Sequence, residues 1–281
     1  MIPPEFDYVA PQSLDEALQA LSEGGEDAKL LAGGHSLLPL MKLRLAAPTL
    51  LVDLRRVPGL DGVERDGGAV RLGAMVRHHA VATGGLGLAS AAAATIADQQ
   101  VRNRGTIGGT LAHGDPASDM PAVLLAAEGS VVVRGEGGER EIAAADLFQD
   151  YLTTAVGPGE IITEVRLPAL EGYGHGYRKF NRRQEDWAMV AVCALVRRAS
   201  DGSCEDVRVG LTHMASTPLR ATAVEEALRG QPLGAQSLAA AAEQAAEGTE
   251  PPADLNATAE YKRHLARVLC RRALEDAAGG G

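Results

Sequence analysis

Two glycine-rich loops, each next to an apolar segment, place the tightest limits on how this chain folds. In residues 30–39 (LLAGGHSLLP), Gly33 and Gly34 end a buried-strand pattern and lead into His35, Ser36 and Leu37. In residues 104–121 (RGTIGGTLAHGDPASDMP), Gly105, Gly108 and Gly109 stand with Thr106, Ile107 and Thr110, and Asp119 follows. Glycine has no Cβ, so successive backbone N–H groups can turn toward one point. Such a nest binds phosphate oxygens, and Ser36 adds a hydroxyl donor. Neither loop contains G-x-G-x-x-G or G-x-x-x-x-G-K-[ST], which argues against a Rossmann site and a P-loop. Two separate nests with one acidic side chain suit a ligand carrying a diphosphate and a polar sugar. On spacing alone, plain turns remain an equal reading.

The segments around these loops alternate. Ser13 with Glu16 three residues on has capping-box spacing. Leu14, Ala17, Leu18 and Leu21 then share one helical face, and Gly24 and Gly25 end the helix. Strands are expected over 28–34 and 49–54, with a short helix or extended connector between them. Residues 62–74 read as a hairpin turning at Gly67–Gly68, and residues 88–103 as one Ala-rich helix. A further helix leads into a hairpin around Gly137–Gly138, and 160–168 is an alternating strand closed by Pro168. From about residue 173 the pattern becomes three antiparallel strands followed by helices, with Tyr261, Leu265, Val268 and Leu269 on one face of the last. A domain boundary is placed near residue 172, and no repeat of 20–50 residues is evident.

Composition narrows the function. At 281 residues the chain is long enough for about two domains. Its net charge of −10, without a long basic run, argues against nucleic-acid binding. Three cysteines (Cys193, Cys204, Cys270) without a C-x-x-C do not form a disulfide framework, and they are too few for an ordinary [2Fe–2S] site. The longest strongly apolar run, 188–196, is too short to span a bilayer. The first residues show no secretory signal pattern, so a cytoplasmic protein is expected. No G-x-S-x-G or H-E-x-x-H appears, and no general base is evident.

The paired loops resemble the FAD-binding motifs of the flavoprotein subunit of molybdenum hydroxylases, the family of the carbon monoxide dehydrogenase medium chain and the xanthine dehydrogenase FAD domain. The resemblance spans nearly the whole chain: FDYVAPQSLDEAL at the start, GEIITEVRLP and YRKFNRRQEDWAMV in the middle, TPLRATAVEEAL and EYKRHLARVLCRRAL at the end. It implies an α+β fold. A vanillyl-alcohol-oxidase-type (PCMH-type) FAD-binding domain over 1–172, with subdomains of about 1–55 and 56–172, precedes a C-terminal α+β domain over 173–281 with a three-stranded antiparallel sheet.

The resemblance also implies roles. Ala32, Gly33, Gly34, His35, Ser36 and Leu37 form the first FAD loop, and Thr106, Ile107, Gly108, Gly109 and Thr110 the second. Asp119 is the acidic FAD contact, Ile162 an apolar neighbour of the cofactor, and Lys179 or Arg178 a basic contact. Many relatives have Asn where Thr110 stands; Thr keeps a hydroxyl but loses the amide. The implied partners are a large molybdopterin-binding subunit and a small subunit with two [2Fe–2S] clusters, in a dimer of heterotrimers. Substrate is oxidised at the molybdenum, and electrons reach FAD through the clusters before leaving for an external acceptor. No catalytic residue and no metal ligand are expected in this chain.

Single residues carry competing readings. His35 is read as a polar loop residue; the alternative is a covalent flavin tether in a stand-alone oxidase. A flavin-free scaffold subunit is the other rival. His78 and His79 are adjacent and point apart on a helix, while His113 lies near Asp115 and Asp119. Trp187, with Asp186, either flanks the flavin ring or belongs to the core.

Overall fold

The computed structural model describes residues 2–279. Met1, Gly280 and Gly281, at the outer ends of the expected domains, lie outside the described residues.

The first layer is a parallel sheet of β1 (Asp7–Val9), β2 (Ala28–Leu31) and β3 (Leu50–Asp53), in the order β1-β3-β2. Helix α1 (Leu14–Gly24) joins β1 to β2, and α2 (Leu37–Lys42) lies between β2 and β3. The capping box forms: Ser13 Oγ accepts the N–H of Glu16 at 3.1 Å, and Glu16 Oε2 accepts the N–H of Gln12 at 2.7 Å. Ala17 and Leu21 of α1 pack with Ala28 and Val52 in one apolar core.

The second layer is antiparallel. Strands β4 (Val63–Asp66), β5 (Ala69–Gly73), β6 (Ser130–Gly135) and β7 (Gly138–Ala143) are followed by a small ribbon, β8 (Phe148–Asp150) with β9 (Thr153–Thr154), and by β10 (Ile161–Leu167). The main sheet has the order β4-β5-β10-β6-β7. Both expected glycine hairpins are present. A bulge in β10 between Ile162 and Glu164 frees the Thr163 carbonyl to accept the N–H of Ala74 at 2.9 Å.

Between β5 and β6 run α3 (His78–Thr83), α4 (Leu88–Ala93), α5 (Gln99–Arg102), α6 (Ile107–His113) and α7 (Asp119–Ala127). The single helix expected over 88–103 is therefore two. Ala97 takes a left-handed conformation (φ 39°). Asp98 Oδ1 caps the N–H of Val101 at 2.8 Å, and the Arg102 guanidinium donates to the carbonyls of Ile96 and Ala97 at 2.7 and 3.0 Å. These side-chain bonds satisfy the backbone at the break, so tertiary geometry overrides alanine's helix propensity. All of α7 but Leu125 is buried, as suits a helix that is almost wholly apolar. α8 (Ala144–Leu147) follows β7 and leads into β8.

The C-terminal region holds β11 (Tyr173–Phe180), β12 (Val190–Arg198), β13 (Cys204–Thr212) and β14 (Leu219–Arg220), then α9 (Thr222–Leu228), α10 (Ala235–Ala242) and α11 (Ala259–Gly279). The sheet has four strands, not the expected three. β14 is two residues long and pairs with Gly210 and Leu211, too short for alternation to reveal. Strand β12 serves two cores, because its side chains alternate across the sheet. Cys193 and Leu195 join the cluster around α4 and α7, while Val192, Ala194 and Val196 join α9–α11.

The three cysteines are buried and free. Burial pushes the thiols of Cys193 and Cys270 up to about 12 and that of Cys204 to about 11. Among the described residues, no helix is long and apolar enough to cross a membrane.

Candidate functional site

A cleft of about 940 Å³ opens where the two N-terminal layers meet the C-terminal sheet. That is near the upper end of small-molecule sites. Ala32, Gly33, Gly34, His35, Ser36, Leu37, Thr106, Gly108, Gly109, Thr110, Asp119, Ile162 and Lys179 all line it. Ile107 does not: its side chain is buried in the core with Leu72, Ala74 and Val76.

The glycine loops play different parts. Among the described residues, the backbone N–H groups of 33–36 have no hydrogen-bond partner within the protein. Gly34 is left-handed (φ 78°), a conformation that belongs to anion-binding nests. A Cβ on Gly33 would sit 2.5 Å from the Arg104 carbonyl oxygen and 2.7 Å from Gly105 Cα. The bare Gly33 therefore lets the two loops abut.

The second loop is not a nest of free donors, contrary to expectation. Ile107 N–H donates to Val76 O at 2.9 Å and Gly108 N–H to Ala74 O at 2.8 Å. Thr106 caps α6: its Oγ1 accepts the N–H of Gly109 at 3.2 Å, and its carbonyl accepts that of Thr110 at 3.1 Å. A Cβ on Gly108 would lie 2.5 Å from Ala74 Cβ. Gly108 thus lets α6 pack against the chain at Ala74.

Asp119 opens α7 inside the cleft. One carboxylate oxygen pairs with Lys179 Nζ at 3.0 Å; the other accepts the Tyr177 hydroxyl. Lys179 also donates to the Thr95 carbonyl at 3.3 Å. Tyr177 and Lys179 are two apart on β11 and so share a face. Burial and the Asp119 carboxylate hold the Tyr177 phenol well above its usual pKa. Arg178 points the other way and pairs with Asp276 of α11 at 2.6 Å, so Lys179 is the basic residue that reaches the cleft.

Sequence reasoning missed Tyr177, although the two-residue spacing from Lys179 would have found it. It also missed Ser118, which is buried beside Asp119 with a hydroxyl that has no partner. Nothing in the sequence marks that serine.

His78 is buried against the cleft with Nδ1 unpartnered, whereas His79 is exposed. Burial, with His35 nearby, pushes the His78 pKa down to about 4. His35 is exposed at the mouth, and partial burial and Arg104 lower its pKa. His113, Asp115 and Asp119 do not converge on one point: Asp115 instead accepts the N–H of Ala117 at 2.8 Å. Trp187 is 53% exposed and lines the cleft with Asp186; it is not a core residue.

Comparison with known proteins identifies the family. Residues 4–170 match the FAD binding domain in molybdopterin dehydrogenase, and residues 175–277 the CO dehydrogenase flavoprotein C-terminal domain. The carbon monoxide dehydrogenase medium chain of Hydrogenophaga pseudoflava is 42% identical over 99% of this chain and 98% of its own length. The 6-hydroxypseudooxynicotine dehydrogenase complex subunit alpha of Paenarthrobacter nicotinovorans is 38% identical over 99% and 96%. A chain of the reconstituted CO dehydrogenase from Oligotropha carboxidovorans superposes with a TM-score of 0.96 at 39% identity, covering 100% of both chains. The fold is that of a flavoprotein component of an oxidoreductase, and the chain belongs to the family of FAD-binding medium subunits of molybdenum hydroxylases.

Proposed function

We propose that this chain holds FAD in the cleft, takes electrons from [2Fe–2S] clusters of a small partner subunit and passes them to an external acceptor. Substrate oxidation belongs to a large molybdopterin-binding partner, in a cytoplasmic dimer of heterotrimers. The observation that carries the reading is the run of unpartnered N–H groups at 33–36 in a cleft that the Lys179–Asp119 pair also lines.

The residues present fit the cofactor. The nest at 33–36 has the donors a diphosphate requires. Ser118 Oγ and His78 Nδ1 are buried polar atoms without protein partners, and such atoms ordinarily find one. Ile162 offers an apolar surface, and Asp119 and Lys179 offer an acceptor and a donor for polar groups of the ligand. Bound there, FAD supplies the exchange between single-electron and two-electron transfers, which no side chain of this chain provides. The chain's own part is to bind, orient and shield. Its three thiols are too few for a four-cysteine cluster, so the iron–sulfur chemistry must come from elsewhere.

The test is reconstitution of the full chain with FAD, an absorption spectrum, and acid precipitation. About one FAD per chain, released entirely into the supernatant, is the expected result. A yellow pellet would make His35 a tether and favour an independent oxidase. A folded chain that takes up no FAD, alone or with co-expressed partner subunits, would overturn the reading.

A further inference from the structure

His213 lies immediately after β13. Its backbone is left-handed (φ 64°), a strained choice for a residue with a side chain. From that position it bonds two separate cleft walls. Its N–H donates to Pro116 O at 2.8 Å, in the loop that leads to Ser118 and Asp119. Its ring Nδ1 meets Ala188 O at 2.9 Å, directly after Trp187. The other ring nitrogen, Nε2, lies 3.4 Å from Lys262 Nζ.

These partners fix the ring's state. A carbonyl can only accept and an ammonium can only donate, so the neutral ring with its hydrogen on Nδ1 is the form that satisfies both. Lys262 is fully buried in α11 and is held by Asp254 Oδ2 at 2.6 Å. The charged groups facing His213 are Lys262 from α11, Asp254 from the segment before it, and Asp115 from the cleft loop. Burial, the largest influence, lowers the ring's pKa and favours the neutral form.

We propose that His213, braced by Lys262, is a positioning residue that sets the spacing between the wall carrying Asp119 and the wall carrying Trp187, and through it the affinity of the cleft for FAD. Neither His213 nor Lys262 lines the cleft; both act through the backbone they hold. The affinity part rests on the reading of the cleft as an FAD site, whereas the spacing part does not.

Trp187 is the chain's single tryptophan, so its fluorescence reports this wall directly. Two measurements apply to full-length wild type, His213→Ala, His213→Asn and Lys262→Met, each checked for a cooperative unfolding transition. The first is acrylamide quenching of Trp187 without FAD. The second is FAD titration, followed by quenching of Trp187. His213→Ala and Lys262→Met should raise the acrylamide quenching constant about twofold and the FAD dissociation constant about tenfold. His213→Asn keeps an amide donor where Nδ1 stands and tolerates the left-handed backbone, so it should restore both values to within about threefold of wild type.

Wild-type values in His213→Ala and Lys262→Met, or equal impairment in His213→Ala and His213→Asn, would overturn the proposal. If His213→Ala does not fold, Lys262→Met decides, because it leaves the strained backbone unchanged. If wild type itself takes up no FAD, the cofactor reading fails while the acrylamide arm still decides the spacing.

Discussion

The Lys179 ammonium and the Asp119 carboxylate meet at 3.0 Å from two different regions of the chain, with each side chain only 5% exposed. β11 supplies the cation and the first turn of α7 supplies the anion. Removing one partner leaves the other charge buried, which costs about 3–5 kcal/mol. Asp119→Ala should therefore destabilise the FAD-free chain by that order, and Asp119→Ala/Lys179→Met should recover most of the loss. Denaturant unfolding of the two singles and the double closes the cycle; strictly additive losses would show that the pair is not coupled. FAD affinity of Asp119→Ala should fall by about 1–3 kcal/mol if the carboxylate also serves the ligand.

Gly33→Ala tests the contact between the loops. The new methyl would meet Arg104 O and Gly105 Cα well inside van der Waals distance. Overpacking of this kind costs about 1–3 kcal/mol, and here the displaced backbone carries the nest. FAD titration should show at least an order of magnitude of lost affinity. Gly137→Ala, where a Cβ meets nothing within 4 Å, is the control and should match wild type.

Ser118→Ala separates a ligand contact from a structural one. The hydroxyl is buried without a partner, so its removal should leave the FAD-free chain equally stable or slightly more so. FAD binding should weaken by about 0.5–1.5 kcal/mol, the worth of one ordinary hydrogen bond. Calorimetric titration measures this, and an unchanged dissociation constant would take Ser118 out of the site.

His78 makes stability depend on pH. Its pKa drops from about 6.5 in the unfolded chain to about 4 in the fold, chiefly through burial. Between those values the unfolded chain binds the proton and the folded chain resists it. The contribution is fully present above about pH 6.5, declines as the pH falls, and is gone below about 4. The full shift corresponds to about 3 kcal/mol. Urea midpoints at pH 7 and pH 4.5 should fall further in wild type than in His78→Gln; parallel falls would assign the acid sensitivity to other groups.

Local chemistry written in the sequence survived folding. Ser13 and Glu16 needed only their own turn to form the capping box, and the glycine hairpins needed only their neighbours. The glycines at 33–34 and the acidic Asp119 were visible as candidates, but spacing alone left them no better than plain turns, and only the family resemblance gave them a ligand. That α7 begins at Asp119 came from the fold. Tertiary structure decided the rest. Both loops carry glycine pairs, yet only the first keeps its N–H groups free, because the second spends its own on Val76, Ala74 and Thr106. The run at 88–103 has the composition of one helix but breaks at Ala97, where Asp98 and Arg102 satisfy the backbone. The partners of Asp119 on β11, and of His213 on α11 and in the cleft loops, are set by how sheets and helices pack. Periodicity in one segment reports which face is buried; it does not report which distant side chain that face will meet.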